Sequence, residues 1–355
     1  MTVQQLREAK KRKYDEFYTR YQEIEAEVNA YLDYDPDTFA NKTVLLPCDD
    51  PEWSNFTLYF AQNFKKLKLR KVISTSYAAD SKDKSIPYEP TLFERDSPDF
   101  DQSRTRRNGK IFVLDHDINK NGRIDIDAIQ WSYLNGDGDF RSDEVTKLRD
   151  EADIICTNPP FSLFREFFKW INENNKKYLI MGNINLIICK EIFPFFNENK
   201  TWIWVTIHGG ARAFYVPKGH ILKKSICKTD SNDGKQYVLL DGIRWFTNID
   251  HGRRHEPLIL MTKADNLRYS KHKEIRGKSD YEHYDNLDAI EIPYVDAIPS
   301  DYDGVMGVPI SFLDKYCPEQ FEIVRFRKGD DGKNLLIRGR EPFSRILIKH
   351  RSVTA

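Results

Sequence analysis

The stretch DIICTNPPFSLFREFF, Asp153 to Phe168, reads as three pieces in a row. Asp153 to Thr157 is a short apolar run suited to the interior of a sheet. From Ser162 onward, Leu163, Phe167, Trp170 and Ile171 fall on one face of a helix. Asn158-Pro159-Pro160-Phe161 is then the strand-to-helix turn of a βα unit. In an open parallel sheet, ligands and reacting groups collect at the carboxyl ends of the strands.

The same rhythm extends outward. Val44 to Cys48 reads as a strand, Asp50 as a helix cap and Pro51 as the first helical residue, with Phe56, Tyr59, Phe60 and Phe64 on one face. Val72 to Tyr77 gives a second strand and KIFVLDHD, from Lys110, a third. KKYLIMGNIN and TWIWVTIHGG continue the series, with a helix around Ile187 to Asn199 between them. Upstream, Phe17, Tyr21, Ile24, Val28 and Tyr31 form a helical stripe that Thr19 and Gln22 would open as a capping box. Strands alternating with helices predict an α/β doubly wound sheet. Beyond Pro217 the alternation stops and a mixed region follows, which sets the expected domains at 1–217 and 218–355.

Composition narrows the class. The 355 residues are 40% hydrophobic and 31% charged, with 55 basic and 55 acidic side chains, so net charge is zero. Any nucleic-acid contact must therefore rest on local clusters rather than on a global field. No run approaches the ~18 apolar residues a membrane span needs, and the N-terminus lacks the apolar core of a signal peptide. The five cysteines are scattered and form no CxxC pair, which argues for reduced thiols and against structural zinc. A cytoplasmic protein, monomeric and without a membrane partner, is expected.

Chemistry concentrates in the turn. Two successive prolines fix φ twice and remove two donors, leaving a stiff loop rich in acceptors. The Asn158 carboxamide oxygen and the Pro159 carbonyl suit an exocyclic amino group, which donates two N–H bonds. Phe161 supplies a stacking face of the kind a base extruded from a duplex requires. The bland alternative is a proline-stiffened helix entry. Other signals are weaker. Asp117 to Ala128 (DINKNGRIDIDA) imitates a calcium loop, but Ala128 stands where the bidentate glutamate belongs, and a polar turn at Asn121-Gly122 is the better reading. RGKSD carries the end of a phosphate loop without the glycine and strand that should precede it. His208 reads as a loop residue rather than a catalytic base.

The blocks DEFYTRY, CDDPEWSNF, GDGDFRS, TNPPFSLFREFF, KEIFP, DGVMGVPISFL, PEQFEIVRFRKG and FSRILIKH together resemble the EcoRI-type adenine-specific DNA methyltransferases, from about residue 13 to 350. That resemblance implies a Rossmann-like catalytic domain using S-adenosylmethionine (SAM), followed by a target-recognition region, acting on double-stranded DNA. Asn158, Pro159, Pro160 and Phe161 match the catalytic tetrapeptide. DEFYT, with Phe17, Tyr18 and Thr19, matches the motif lying over the methionine end of SAM. Asp49 and Asp50 stand at the first SAM loop, and GDGDF, with Asp137, Asp139 and Phe140, resembles the block that reads the cofactor's adenine. The usual glycine-rich FxGxG loop is replaced by Asp49-Asp50-Pro51, which is tolerable because SAM carries no phosphate to cradle.

Ser76 and Tyr77, at the end of the second strand, are expected beside the ribose. Arg104, Arg106 and Arg107 in an exposed excursion, and Arg253 and Arg254 farther on, are candidate phosphate contacts. Arg212 in HGGARAF is the candidate base reader. Two other readings stay open: an amino-methyltransferase acting on RNA or a protein glutamine, and a non-catalytic DNA- or calcium-binding protein.

Overall fold

The computed structural model describes residues 19–78, 95, 97–116, 130–204, 212–215, 227–229, 236–327, 334–342 and 344–351. Two compact units emerge: Met1–Leu186 with Trp204–Ile249, and Ile187–Ile203 with Asp250–Ala355. This division differs from one at Pro217, because the chain leaves the first unit after Leu186 and returns at Trp204.

Helix α1 (Tyr21–Tyr34) of the first unit buries Ile24, Val28 and Tyr31 completely, the stripe its spacing predicts. Burial of Ile24 and of Val28 contributes roughly 1.5–3 kcal/mol each. The expected capping box is absent: Arg20 is the N-cap, its side chain pairing with Glu23 rather than capping the backbone, and the Thr19 hydroxyl instead reaches the Met181 sulfur at 3.0 Å.

The central strands are β1 (Thr43–Leu46), β2 (Lys71–Thr75), β3 (Lys110–Leu114), β4 (Trp131–Tyr133), β5 (Ile154–Thr157), β6 (Lys177–Asn183) and β11 (Ile243–Thr247). Their order is β4-β3-β2-β1-β5-β6-β11, followed at the edge by β7 (Trp202–Trp204), in which the chain returns to this unit. Strands β2, β1, β5 and β6 are parallel. β3, β4 and β11 run antiparallel to their neighbours, so the sheet is mixed rather than purely parallel. Helices α2 (Asn55–Gln62), α3 (Asp143–Glu151) and α4 (Phe164–Asn172) connect the parallel strands. This is a Rossmann-like α/β sheet whose winding reverses between β1 and β5. The middles of the core strands are apolar: Val44, Leu45, Leu46, Ile155, Leu179 and Ile180 are fully buried, as strands covered on both faces require.

Two expectations shift locally. Ser54, not Asp50, caps α2, its Oγ accepting from Phe56 N–H at 3.0 Å. QYVLLDGIRWFTN does not belong wholly to a later domain: β11 pairs with β6, while β8 (Arg212–Tyr215), β9 (Cys227–Thr229) and β10 (Gln236–Leu240) form a three-stranded antiparallel sheet. The second unit carries α5 (Phe193–Asn197), α6 (Lys263–Tyr269) and a four-stranded sheet of β12 (Ala289–Glu291), β13 (Val305–Pro309), β15 (Arg345–His350) and β14 (Phe321–Arg327), in that order. Its buried Arg345 donates from Nε to Glu291 at 2.8 Å, and Tyr284 shares the same carboxylate.

Candidate active site at the carboxyl edge of the sheet

The strand ends of β1, β2 and β5 meet where the winding reverses, the crevice in which open α/β sheets bind ligands. After β1 the chain turns at Asp49. Its N–H donates to Thr75 O at 3.0 Å, and its carbonyl accepts from Ser74 Oγ at 2.5 Å. The Asp49 carboxylate, 5% exposed, accepts from Ser54 Oγ at 2.6 Å and from Thr157 Oγ1 at 2.5 Å. Burial pushes this carboxyl up to about 7, against the pull of the two hydroxyl donors. Asp50 is half-buried and accepts from Glu52 N–H at 2.9 Å. Glu52 in turn holds Lys110 Nζ at 2.8 Å and the Trp131 indole N–H at 3.1 Å, which pins the loop onto β3 and β4.

At the end of β2, the Ser76 hydroxyl accepts from Lys110 N–H at 3.1 Å and the Ser76 N–H donates to Lys110 O at 3.0 Å. Ala78 N–H donates to Asp137 O at 2.7 Å, bringing the GDG turn against this strand end. The approach requires glycine twice. A Cβ on Gly109 or on Gly138, whose φ is +80, would collide with the Ser76 carbonyl oxygen. Asp139 is tied by both oxygens to Arg141, at 2.9 and 2.6 Å, and Arg141 also pairs with Glu166. Asp137 accepts from Asp139 N–H at 3.1 Å. Phe140 lies in the packing, its ring 5.1 Å from Phe167 and 5.5 Å from Trp170.

The turn itself follows β5. Asn158 and Pro160 are half-buried, Pro159 is buried, and the Pro160 carbonyl accepts from Leu163 N–H at 2.9 Å, opening a short 3-10 turn into α4. Phe161 is 6% exposed, with Phe214 of β8 edge-on at 6.4 Å. Thr19 reaches the same edge, its carbonyl accepting from Asn55 at 2.7 Å. Thr19, Asp49, Asp50, Ser76, Tyr77, Asp137 and Asn158 thus converge at one edge of one sheet. Phe17, Tyr18, Asp117 to Ala128, His208 and the Arg212 side chain lie outside the described residues.

The candidate phosphate contacts are placed differently from one another. Arg106, Arg107 and Arg253 are exposed. Arg104 is half-buried, lies 5.0 Å over the Tyr133 ring and donates to Leu134 O at 3.1 Å. Arg254 is buried: it stacks 3.6 Å over Trp202, pairs with Asp250 and bonds Asn199. Sequence reasoning missed Ser54, Thr157, Gly109 and Gly138. Only the glycines carried a signal, as residues able to sit against backbone.

An α/β sheet with a proline-stiffened turn at its reversal point places a ligand crevice at the carboxyl edge, as in enzymes built on this fold. Residues 5–351 match the family described as adenine-specific methyltransferase EcoRI. The chain is 40% identical to the type II methyltransferase M.EcoRI of Escherichia coli, over 98% of this chain and 96% of that protein. It is 31% identical to M.MgeORF184P of Mycoplasma genitalium, with 97% and 98% covered, and 30% identical to M.MpnI of Mycoplasma pneumoniae, with 97% of each covered. No solved structure matches it. The chain belongs to the EcoRI-type family of adenine-specific DNA methyltransferases, enzymes of restriction–modification systems. Among the described residues, no helix is long and apolar enough to cross a membrane.

Proposed function

We propose that the chain transfers a methyl group from SAM to the N6 amino group of an adenine turned out of double-stranded DNA, at a specific sequence. The observation carrying this reading is the Asn158-Pro159-Pro160-Phe161 turn at the end of β5, beside the reversal point. The edge fits SAM chemically. Its loops present carboxylates and carbonyls, and the turn after β1 is Asp49-Asp50-Pro51 rather than a glycine-rich loop, which suits a ligand that is cationic and free of phosphate. Asp50 and Thr19 would meet the methionine end, Tyr77 the ribose side, and Asp137 the adenine amino group. Asp139, committed to Arg141, is the poorer partner. When bound, SAM supplies an electrophilic methyl group.

The chain's own part is positioning. The Asn158 carboxamide oxygen and the Pro159 carbonyl hold the two amino hydrogens, which turns the nitrogen lone pair out of conjugation with the ring and toward the donor. One of those hydrogens leaves as a proton when the N–C bond forms. Phe161 would stack on the base once its ring is uncovered from Phe214. Exposed Arg106, Arg107 and Arg253 would meet phosphates, and Arg212 would read a base edge.

Methyl transfer from labelled SAM, compared on duplex DNA, RNA and protein, tests the reading, with methylation mapped on random-sequence DNA to find the site. A GAATTC-containing duplex is the first substrate to try. Asn158→Ala should lose nearly all turnover while SAM still binds, and normal turnover would remove the assignment. Phe161→Ala should weaken the flipped state by ~1–3 kcal/mol, the worth of one stacked base. A fluorescent base analogue that flips equally well in the variant would make Phe161 a packing residue only.

A further inference from the structure

Asp49 poses a question that cofactor binding does not answer. A carboxylate that is 5% exposed costs several kcal/mol to bury. Here it spends both oxygens on hydroxyl donors of its own chain, Ser54 at 2.6 Å and Thr157 at 2.5 Å. With each oxygen already accepting from its own chain and only 5% of the residue exposed, Asp49 offers a ligand ammonium or ribose hydroxyl little surface to meet. Asp50 has its Oδ1 on Glu52 N–H and keeps Oδ2 without a partner among the described residues. The two neighbouring aspartates therefore differ in kind.

What Asp49 joins is informative. Ser54 caps α2 on the β1 side of the reversal point, and Thr157 is the last residue of β5, directly before Asn158. Strands β1 and β5 pair through Val44–Ile154 and Leu45–Ile155, but that ladder stops before Asp49 and Thr157 are reached. The side-chain bridge continues the joint beyond the last ladder pair. It runs from Phe56 N–H through Ser54 Oγ and the Asp49 carboxylate to Thr157 Oγ1, so the start of the catalytic turn is referenced to the loop on the cofactor side.

We propose that Asp49 is a positioning residue that fixes the Asn158 turn relative to the cofactor loop through the Thr157 hydroxyl, and touches neither SAM nor the base. This rests on the reading of Asn158 as the residue that holds the target amine. Misplacing a reacting group by about 1 Å can cost on the order of 100-fold in rate. The bridge should therefore appear in the chemical step rather than in cofactor affinity.

The test uses the full chain, saturating labelled SAM and plasmid DNA that the wild-type enzyme methylates. Single-turnover rate, calorimetric SAM affinity and melting temperature are measured for Thr157→Val, Thr157→Ser, Asp49→Asn and the Asp49→Asn/Thr157→Val pair, beside Asn158→Ala. Thr157→Val should lower the single-turnover rate roughly 10- to 100-fold with SAM affinity changed less than about 3-fold. Thr157→Ser should restore most of the loss, and the double variant should be no slower than the worse single one. A wild-type rate in Thr157→Val overturns the proposal, as does an Asp49→Asn enzyme that loses SAM affinity more than about 10-fold at an unchanged rate. If Thr157→Val melts too early to assay, the nearly isosteric Asp49→Asn carries the same comparison. Should Asn158→Ala turn over normally, the catalytic reading falls. If only Asn158→Ala is impaired, the reading stands and the bridge does not.

Discussion

At the scale of the residue, the buried Asp49 carboxyl makes a signed prediction. Its value stands near 7 in the folded chain, against ~3.9 for an unperturbed aspartate. The folded state therefore holds this proton more tightly than the unfolded chain does. The resulting stabilisation is complete below about pH 4 and is lost as pH rises through 7. Asp49→Asn removes the group while keeping its shape, so its melting temperature should fall less than that of the wild type between pH 4 and 7.5. His255, raised by its bonds to Asp250 and Glu319 although burial opposes it, loses stabilisation in the same direction in both proteins and cancels in the difference. Identical pH slopes by calorimetry would remove the claim. At this scale the sequence is legible where local rules decide the backbone, as in the strand-to-helix turn at Asn158-Pro159-Pro160. It was illegible for Arg254, whose cation–π stack on Trp202 and bond to Asn199 come from distant positions and have no local signature.

Among the elements, helix α4 seats its first residue, Phe164, on strand β6 through Gly182. A Cβ at Gly182 would collide with the Phe164 ring, which is fully buried and also tilts against Phe246 at 5.1 Å. Gly182→Ala should cost roughly 1–3 kcal/mol, the usual penalty of overpacking, and displace the turn just upstream. Melting temperature and single-turnover rate should drop together, and a loss of stability without a loss of rate would separate the turn from this contact. The parallel strands and the faces of α1 and α4 were readable because burial on both sides, or on one stripe, leaves a periodic trace. Strand β11 pairs with β6 although it lies beyond Pro217, because alternation names a strand without naming its partner. The reversal of β3 was hidden for the same reason, since the long segment before it permits either direction. Ser54 caps α2 where the sequence suggests Asp50, because Asp50 and Pro51 carry the commoner helix-start pattern four residues earlier.

For the molecule as a whole, equal numbers of acidic and basic residues leave no net field to gather DNA. Individual exposed cations must then carry the salt dependence. Arg253 and Arg254, adjacent in sequence, should separate cleanly. Arg253→Ala is expected to weaken binding on all sequences alike and to reduce the salt slope by about 1. Arg254→Ala should leave that slope unchanged and lower the melting temperature instead, because it strips the buried partner from Asp250 and Trp202. Filter binding over a salt series, paired with thermal melting, reads both, and the reverse pattern would reassign the pair. That the chain leaves the first unit after Leu186 and returns at Trp204 has no local mark in the sequence, because nothing there signals where chain order and spatial order part company.

The pairing of β6 with β11 carries a consequence for how the protein is made. Asn183 is matched with Ile243 and Leu179 with Thr247, so one border of β6 is completed by a segment translated much later. A chain emerging from the ribosome presents Tyr178 to Met181, all fully buried in the finished protein, before the strand that will cover that border has left the exit tunnel. Open strand borders of this kind are templates for unwanted pairing. The Asn158 segment is therefore synthesised well before the strand that closes its sheet, and that interval is when a molecular chaperone would have most to grip.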